Sequence, residues 1–354
     1  MIKVRSAIGW VPQSRQFRGM CLSLAAAGGA FLLWWFTKRW VPISPLMWSF
    51  IFGIVWGNVF AIPQSYGPGI DFAASRLLKS AVALLGILVS AMAWTRLGGI
   101  GLACVLANLF LTFVLGLVLC RYVFRLERRM GLLVAIGTAI CGASAIAVTA
   151  PAIDAKSEEV GVSLAVVTLF GLAAMFSYPW LFQSTALGPF LNHSVGAFGM
   201  WTGMGIHETA QVVAGAEQVN GALDMAMLAK SIRIFMIGPM VLLVSFLFRR
   251  ADPSAGIRSR SLVIPWFAVV FIVLSLVNMG LELVFRDAWT SFAQSFLSPP
   301  IKFLLAWAFA AVGFRVRFRE IATLGLRTFA FGLTTAVLSS AMALMLVRFV
   351  WLSG

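Results

Sequence analysis

Apolar runs of roughly twenty residues, separated by short polar clusters, recur from residue 19 to the end of the chain. A helix needs ~20 such residues to cross a hydrocarbon core. The pattern predicts transmembrane helices over 19–37, 45–61, 76–92, 98–121, 130–151, 160–183, 195–215, 224–248, 264–284, 299–314 and 328–350. The segments between them are short, so no soluble module is expected. The predicted fold is an all-α integral membrane protein of about eleven transmembrane helices. It forms one domain over residues 1–354, with 1–18 as a cytoplasmic N-terminal segment.

Composition supports this picture. The chain is 61% hydrophobic and 11% charged, whereas soluble domains carry about 25% charged residues. The net charge of +15 does not point to nucleic acid, because Lys and Arg fall in clusters between apolar runs. Such clusters encode topology in a bilayer. With a cytoplasmic N-terminus, Arg15, Arg18, Arg121, Arg125, Arg128, Arg129, Arg249, Arg250, Arg315 and Arg327 face the cytoplasm. Asp154, Lys156, Glu158, Glu159, Glu217, Asp224, Glu282 and Asp287 then face the other side. The expectation is a bacterial inner-membrane protein with a periplasmic C-terminus. The first run passes into Trp34, Trp35, Lys38 and Arg39 without a small-residue cleavage site, which predicts an uncleaved span. Trp40, Trp94, Trp180, Trp266, Trp289 and Trp351 lie near span ends, as headgroup-seeking rings do. Cys21, Cys104, Cys120 and Cys141 sit inside apolar runs without paired spacing and read as small buried hydrophobes.

Two internal echoes are visible. Leu85-Gly86 and Leu97-Gly98 match Val312-Gly313 and Leu324-Gly325. Ala145 through Tyr178-Pro179 matches Thr209 through Gly238-Pro239, and in an eleven-span topology these two segments run parallel. Inverted repeats with broken helices near the midplane are the expected internal symmetry.

Three constellations carry candidate chemistry. The run Gly137–Pro151, with Cys141, Gly142, Ala143, Ser144 and Ala145 at its centre, weakens a helix and lets backbone amides turn toward a cavity. It also fits a close contact between helices. Next, His207 and Glu208, followed by Thr209 and Gln211, put ionisable groups inside a predicted span. That costs ~2.5–3.5 kcal/mol on insertion scales and usually marks a cavity or a partner. Lastly, Lys230 and Arg233 share a helix face. They suit either neutralisation of Glu208 or attraction of an oxyanion, which the guanidinium fork can grip in two places. Lys79 and Lys302 lie close enough to span ends to snorkel. Pro299-Pro300 marks an ordinary helix start.

Enzyme motifs fail. His207-Glu208 opens like the zinc-protease HExxH, but Gln211 stands where the second histidine belongs. Gly142-Ala143-Ser144-Ala145 resembles the GxSG of intramembrane serine proteases, yet ends in Ala145. The chain carries no Walker loop, so ATP drive is not expected.

At Ile140–Ile146 and at Ile206–Val213, followed by Lys230, Arg233, Pro239 and Pro265-Trp266-Phe267, the chain resembles the YeiH family. These are bacterial membrane proteins described as sulfate exporters, related to the bile-acid and sodium/proton antiporter superfamily. The chain departs from the family at Glu208 (usually Asp), Ala143 (Gly), Ile232 (Thr) and Gly171 (Asn). The resemblance implies a secondary transporter in which broken helices form the site.

The resulting expectation is an anion transporter, not an enzyme, without cofactor and with Na⁺ or H⁺ as coupling ion. Cys141, Gly142, Ala143, Ser144, Ala145, Thr209, Gln211, Lys230 and Arg233 are the expected substrate residues. His207 and Glu208 are the expected coupling residues. Its partners would be a small anionic solute, membrane lipids and a second copy of the chain, with no nucleic acid. A cation/proton antiporter and a passive anion channel stand as alternatives.

Overall fold

The computed structural model describes residues 13–41, 43–251, 265–316, 318 and 325–353, and every regular element among them is helical. The elements are α1 (Gln13–Thr37), α2 (Pro45–Val59), α3 (Gly67–Phe72), α4 (Leu78–Leu85) and α5 (Ala91–Val118). They continue with α6 (Arg128–Ala139), α7 (Ala143–Thr149), α8 (Ser157–Ser184), α9 (Leu187–Phe190), α10 (Val195–Gly205) and α11 (Thr209–Ala216). The last are α12 (Leu223–Phe235), α13 (Ile237–Ala251), α14 (Trp266–Phe292), α15 (Ser298–Arg315) and α16 (Leu326–Leu346). Six helical stretches among the described residues are long and apolar enough to cross a membrane. The fold is an all-α membrane protein. Leu324 of the first internal echo lies outside the described residues.

The chain forms two compact units, 1–82 with 294–318 and 83–293 with 319–354. In the first unit, α2 and α15 approach until a Cβ on Gly53 would meet the Ala310 carbonyl at 2.2 Å. Small residues let helix backbones close in this way where no hydrophobic drive exists between helices in lipid. Asn58 ties the end of α2 to Val316 O at 2.7 Å. Trp307 on α15 donates to Ser23 Oγ on α1 at 2.9 Å. Pro299 and Pro300 stand in the first turn of α15, as expected for a helix start. Cys21 departs from expectation: it is exposed, whereas Cys104, Cys120 and Cys141 are buried.

In the second unit, α5 begins at the Ser90 cap and passes through residues 93–97, which the sequence reading left between spans. Gly98, at φ 55°, bends it there. Two carboxylates satisfy its orphan amides: Asp224 accepts from Ser90 N at 3.1 Å and Glu282 from Ala91 N at 2.7 Å. Asn278 braces Glu282 at 2.9 Å and Val89 O at 2.7 Å. α16 runs antiparallel to α5, joined by Thr112–Ser339 at 2.8 Å and by Trp351 to Arg96 O at 3.1 Å.

The main departure from the sequence reading concerns predicted spans 130–151 and 195–215. Each folds back along itself. In a straight helix Gly137 and Ile146 would lie about 13 Å apart. Here a Cβ on Gly137 would stand 3.0 Å from Ile146 Cδ1, so α6 and α7 lie side by side. The entry of α6 stays beside the start of α8, with Ser163 Oγ donating to Met130 O at 3.4 Å. The second return has the same evidence. A Cβ on Gly199 would meet Ala222 O at 2.5 Å and one on Gly203 would meet Ala226 O at 2.4 Å. The offset between partners is equal at both places, so α10 and α12 run parallel and α11 comes back between them. α6, at about 18 Å, is too short to cross alone. Among the described residues, two of the predicted spans are thus helical hairpins in place of straight helices.

α8 is the common support. Its 28 residues give about 42 Å, enough to span a bilayer. The first hairpin opens beside its start, and the second opens beside its end, where Gln183 Nε2 donates to Gln218 O at 3.1 Å. The hairpins thus enter from opposite ends. This also reorients the second sequence echo. Ala145–Pro179 and Thr209–Pro239 are each a return limb plus the long helix after it, and α8 and α12 point in opposite directions. The repeat is inverted, where the straight-span reading made it parallel.

Candidate functional site

The two hairpin tips meet at the middle of α8. The first tip is Ile140-Cys141-Gly142, and the chain reverses because Gly142 adopts φ 58°, ψ −122°, a region that favours glycine. The second tip is Ile206-His207-Glu208, which is extended: Ile206 has φ −83°, ψ 140° and Glu208 has φ −102°, ψ 146°. A Cβ on Gly142 would stand 2.6 Å from Glu208 Cγ, so only a bare backbone lets the tips touch.

Each tip joins the C-terminal end of an entering limb to the N-terminal end of a returning limb. A helix C-terminus leaves orphan carbonyls and carries partial negative charge. Here α6 and α10 bring two such ends together. Lys230 and Arg233, both 0% exposed, satisfy them. Lys230 Nζ donates to Ile140 O at 3.0 Å, to Ile206 O at 2.9 Å and to His207 O. Arg233 Nε reaches Ala139 O at 2.9 Å and its Nη2 reaches Thr138 O. Its Nη1 donates to Gly203 O at 3.0 Å and to Met204 O. Each cation therefore bridges the two hairpins. A charge buried without partners costs far more than a fold can spare; carbonyl ligands from two helix ends offset that cost.

On the other side of the tips, α8 presents Val167 and Thr168. His207 Nδ1 lies 3.1 Å from Val167 O, which places its proton there, and His207 Nε2 has no hydrogen-bond partner. The Thr168 hydroxyl donates to Glu208 Oε1 at 2.9 Å, while Thr168 O accepts from Gln211 Nε2 at 3.1 Å. Glu208 and Gln211 form a reciprocal capping box at the start of α11. Gly171 leaves the room: a Cβ there would stand 2.0 Å from Gln211 Oε1. Tyr178 stacks on Trp201 with ring centroids 4.0 Å apart, fastening α10 to the upper half of α8.

All eleven residues singled out in the sequence lie in this region of the fold, but their environments differ. Ala143, Ser144, Glu208 and Thr209 are partly accessible. Cys141, Gly142, Ala145, His207, Gln211, Lys230 and Arg233 are buried. Lys230 and Arg233 are committed to backbone, so in this conformation they act on the site through the helix ends they hold. The Ser144–His207 dyad of a hydrolase is not formed, since the imidazole points one nitrogen at Val167 and its other has no partner. Among the described residues no group of three or more His, Cys, Asp and Glu side chains is placed to hold a metal ion. Sequence reasoning missed Val167 and Thr168, whose types are ordinary for an apolar helix, while Gly171 stood out only as a departure from the family pattern.

Residues 18–332 match the model of a family described as conserved hypothetical protein 698. A UPF0324 membrane protein of Bordetella bronchiseptica is 34% identical over 301 residues, 83% of this chain and 90% of the relative. One from Pseudomonas aeruginosa is 32% identical over 324 residues, 87% of each chain. One from Bacillus cereus is 30% identical over 308 residues, 86% of each. No solved structure matches. With membrane-protein relatives aligned along more than four-fifths of its length, the chain belongs to the conserved hypothetical protein 698 family of UPF0324 membrane proteins.

Proposed function

We propose that the protein is a secondary transporter of a small anion, such as sulfate, a related oxyanion or an organic sulfonate, working by alternating access as an exporter. One observation carries the reading: two hairpins entering from opposite ends of α8 meet tip to tip beside two buried cations. Inverted repeats whose interrupted helices meet at membrane depth are the usual site of secondary transport. Ser144, Thr168 and Thr209 supply hydroxyls there. The cations outnumber the single carboxylate of Glu208, so the surroundings favour an anion. Glu208 and His207 take the coupling role, with H⁺ or Na⁺ as the ion.

The reading extends to topology. With both hairpins re-entrant, Asp154, Lys156, Glu158 and Glu159 share a side with Arg125, Arg128 and Arg129. Lys156 thereby joins the basic face, which strengthens the assignment of that face to the cytoplasm of a bacterial inner membrane. The N-terminus remains cytoplasmic and the C-terminus periplasmic. A dimer is the proposed assembly.

The test is radiolabelled sulfate flux in proteoliposomes across a pH gradient, with thiosulfate and methanesulfonate as competitors. Saturable, gradient-driven flux that Arg233→Ala and Glu208→Gln reduce supports the reading; wild-type activity in both variants removes the residue assignments. Sodium-dependent proton flux with no anion movement favours the alternative, a cation/proton antiporter using Glu208. Unsaturable, uncoupled flux favours a passive channel.

A further inference from the structure

We propose that the Glu208 carboxylate is a resident stand-in for the transported anion, so that an anion binds at the start of α11 only when Glu208 has taken up a proton, and the two move together. The inference rests on the anion-transport reading and specifies its coupling ion and stoichiometry. The start of α11 already holds an anion. The Glu208 side chain accepts from the Gln211 backbone N–H and from the Thr168 hydroxyl, which donates to Oε1 at 2.9 Å. An oxyanion asks for the same donors. In the same tip Nε2 of His207, on a side chain 1% exposed, has no partner; with the ring proton on Nδ1 it is an acceptor, suited to the accompanying proton and not to the anion itself.

Two anions cannot share this place. The Thr168 hydroxyl has one proton to give, and like charges at contact distance disfavour each other's ionised form. Glu208 is partly accessible, so a solute reaching the tips meets it directly. The other charges facing Glu208 are Lys230 and Arg233 on α12, with His207 beside it in the chain and the Cys141 thiol in the opposite tip. α8 presents the Thr168 hydroxyl to Glu208, and Gly171 stands against Gln211. Both cations are held by carbonyls of two helix ends, so neither can swing out to follow a solute. Their charge is a constant background against which the charge of Glu208 changes. Protonation frees the donors and restores the site's excess of positive charge. An anion then enters with one proton, the exchange being reciprocal. Anion affinity falls about tenfold for each pH unit above the protonation midpoint.

The experiment is thermal stabilisation of the purified full-length protein by sulfate, thiosulfate or methanesulfonate at pH 5 and pH 8, with chloride controlling ionic strength. Wild type is expected to bind at least tenfold more tightly at pH 5. Glu208→Gln, a permanent mimic of the protonated form, is expected to bind equally at both, and Glu208→Asp to keep the pH dependence. Equal wild-type binding at both pH values, or a wild-type pH dependence in a folded Glu208→Gln, overturns the proposal. A proteoliposome arm covers the case in which the Gln variant does not fold. Sulfate influx should acidify the lumen, and influx without acidification overturns the proposal. If none of the three anions binds or moves, the anion-transport reading itself has failed.

Discussion

Gly142 touches Glu208: a methyl group on the glycine would stand 2.6 Å from the glutamate's Cγ. The two residues lie on opposite hairpins, so this contact marks where the tips meet, while Lys230 and Arg233 clasp them. Gly142→Ala would pay twice, through φ 58° and through the clash. The expected cost is about 1–3 kcal/mol from the backbone alone, with a larger loss of transport because Glu208 is displaced. Gly28→Ala is the control, since its Cβ meets nothing within 4 Å. Thermal unfolding and flux of both variants check the difference.

Lys230→Met should unfold the pair of hairpins more than any loss of surface charge could. It strands the carbonyls of Ile140 and His207 and leaves Ile206 O with only Arg233 Nη1 at 3.4 Å, at about 1–3 kcal/mol for each group left unsatisfied. Arg233→Lys is expected to be nearly as damaging, because one ammonium cannot reach both Ala139 O and Gly203 O as the guanidinium does. Melting temperature in detergent is the measurement; unchanged melting would mean that the cations are not the clasp described above.

Thr168→Val removes one hydroxyl from Glu208 while its backbone still accepts from Gln211. Stability should fall by about 1.5–3 kcal/mol, the worth of a hydrogen bond to a charged group, and flux should fall about tenfold because the same hydroxyl is lost to the solute. A variant with normal flux would place the working groups elsewhere.

At the root of the first hairpin, a hydrogen bond with Glu159 and the negative charge of that residue raise the Glu127 carboxyl above its ordinary range, helped slightly by burial. A folded-state pKa above the unfolded one gives stability that is complete below the unfolded pKa and lost as pH rises through the folded one. Hydrogen exchange in the first turn of α6 should therefore quicken as pH rises out of the acid range, after correction for intrinsic rates. Glu127→Gln should flatten that trend.

Much of this site is legible in the sequence, because polar and small residues at bilayer depth stand out against an apolar background. The His207–Gln211 and Gly137–Ala145 segments are conspicuous for that reason, and so are Lys230 and Arg233. The return of each hairpin is not legible. Residues 130–151 are as apolar and as long as a straight span, and hydropathy does not record where a chain reverses. One signal was present: the echo of Ala145–Pro179 in Thr209–Pro239 makes sense as an inverted repeat only if each copy crosses once. Asp224 and Glu282 looked like loop acids, whereas they cap α5; their partners are amides, which carry no sequence signature. Val167 and Thr168 contribute largely backbone carbonyls, and any residue could supply those.

The returning hairpin is also the most direct point of attack. Single cysteines at Glu127 and Lys156, in an otherwise cysteine-free chain, should both be protected from a membrane-impermeant maleimide in intact cells and both react once the membrane is permeabilised. A cysteine at Asn192, beyond the far end of α8, should react from the opposite side. Labelling of positions 127 and 156 from opposite sides would mean that residues 128–155 cross the membrane, and the tip-to-tip site would not exist.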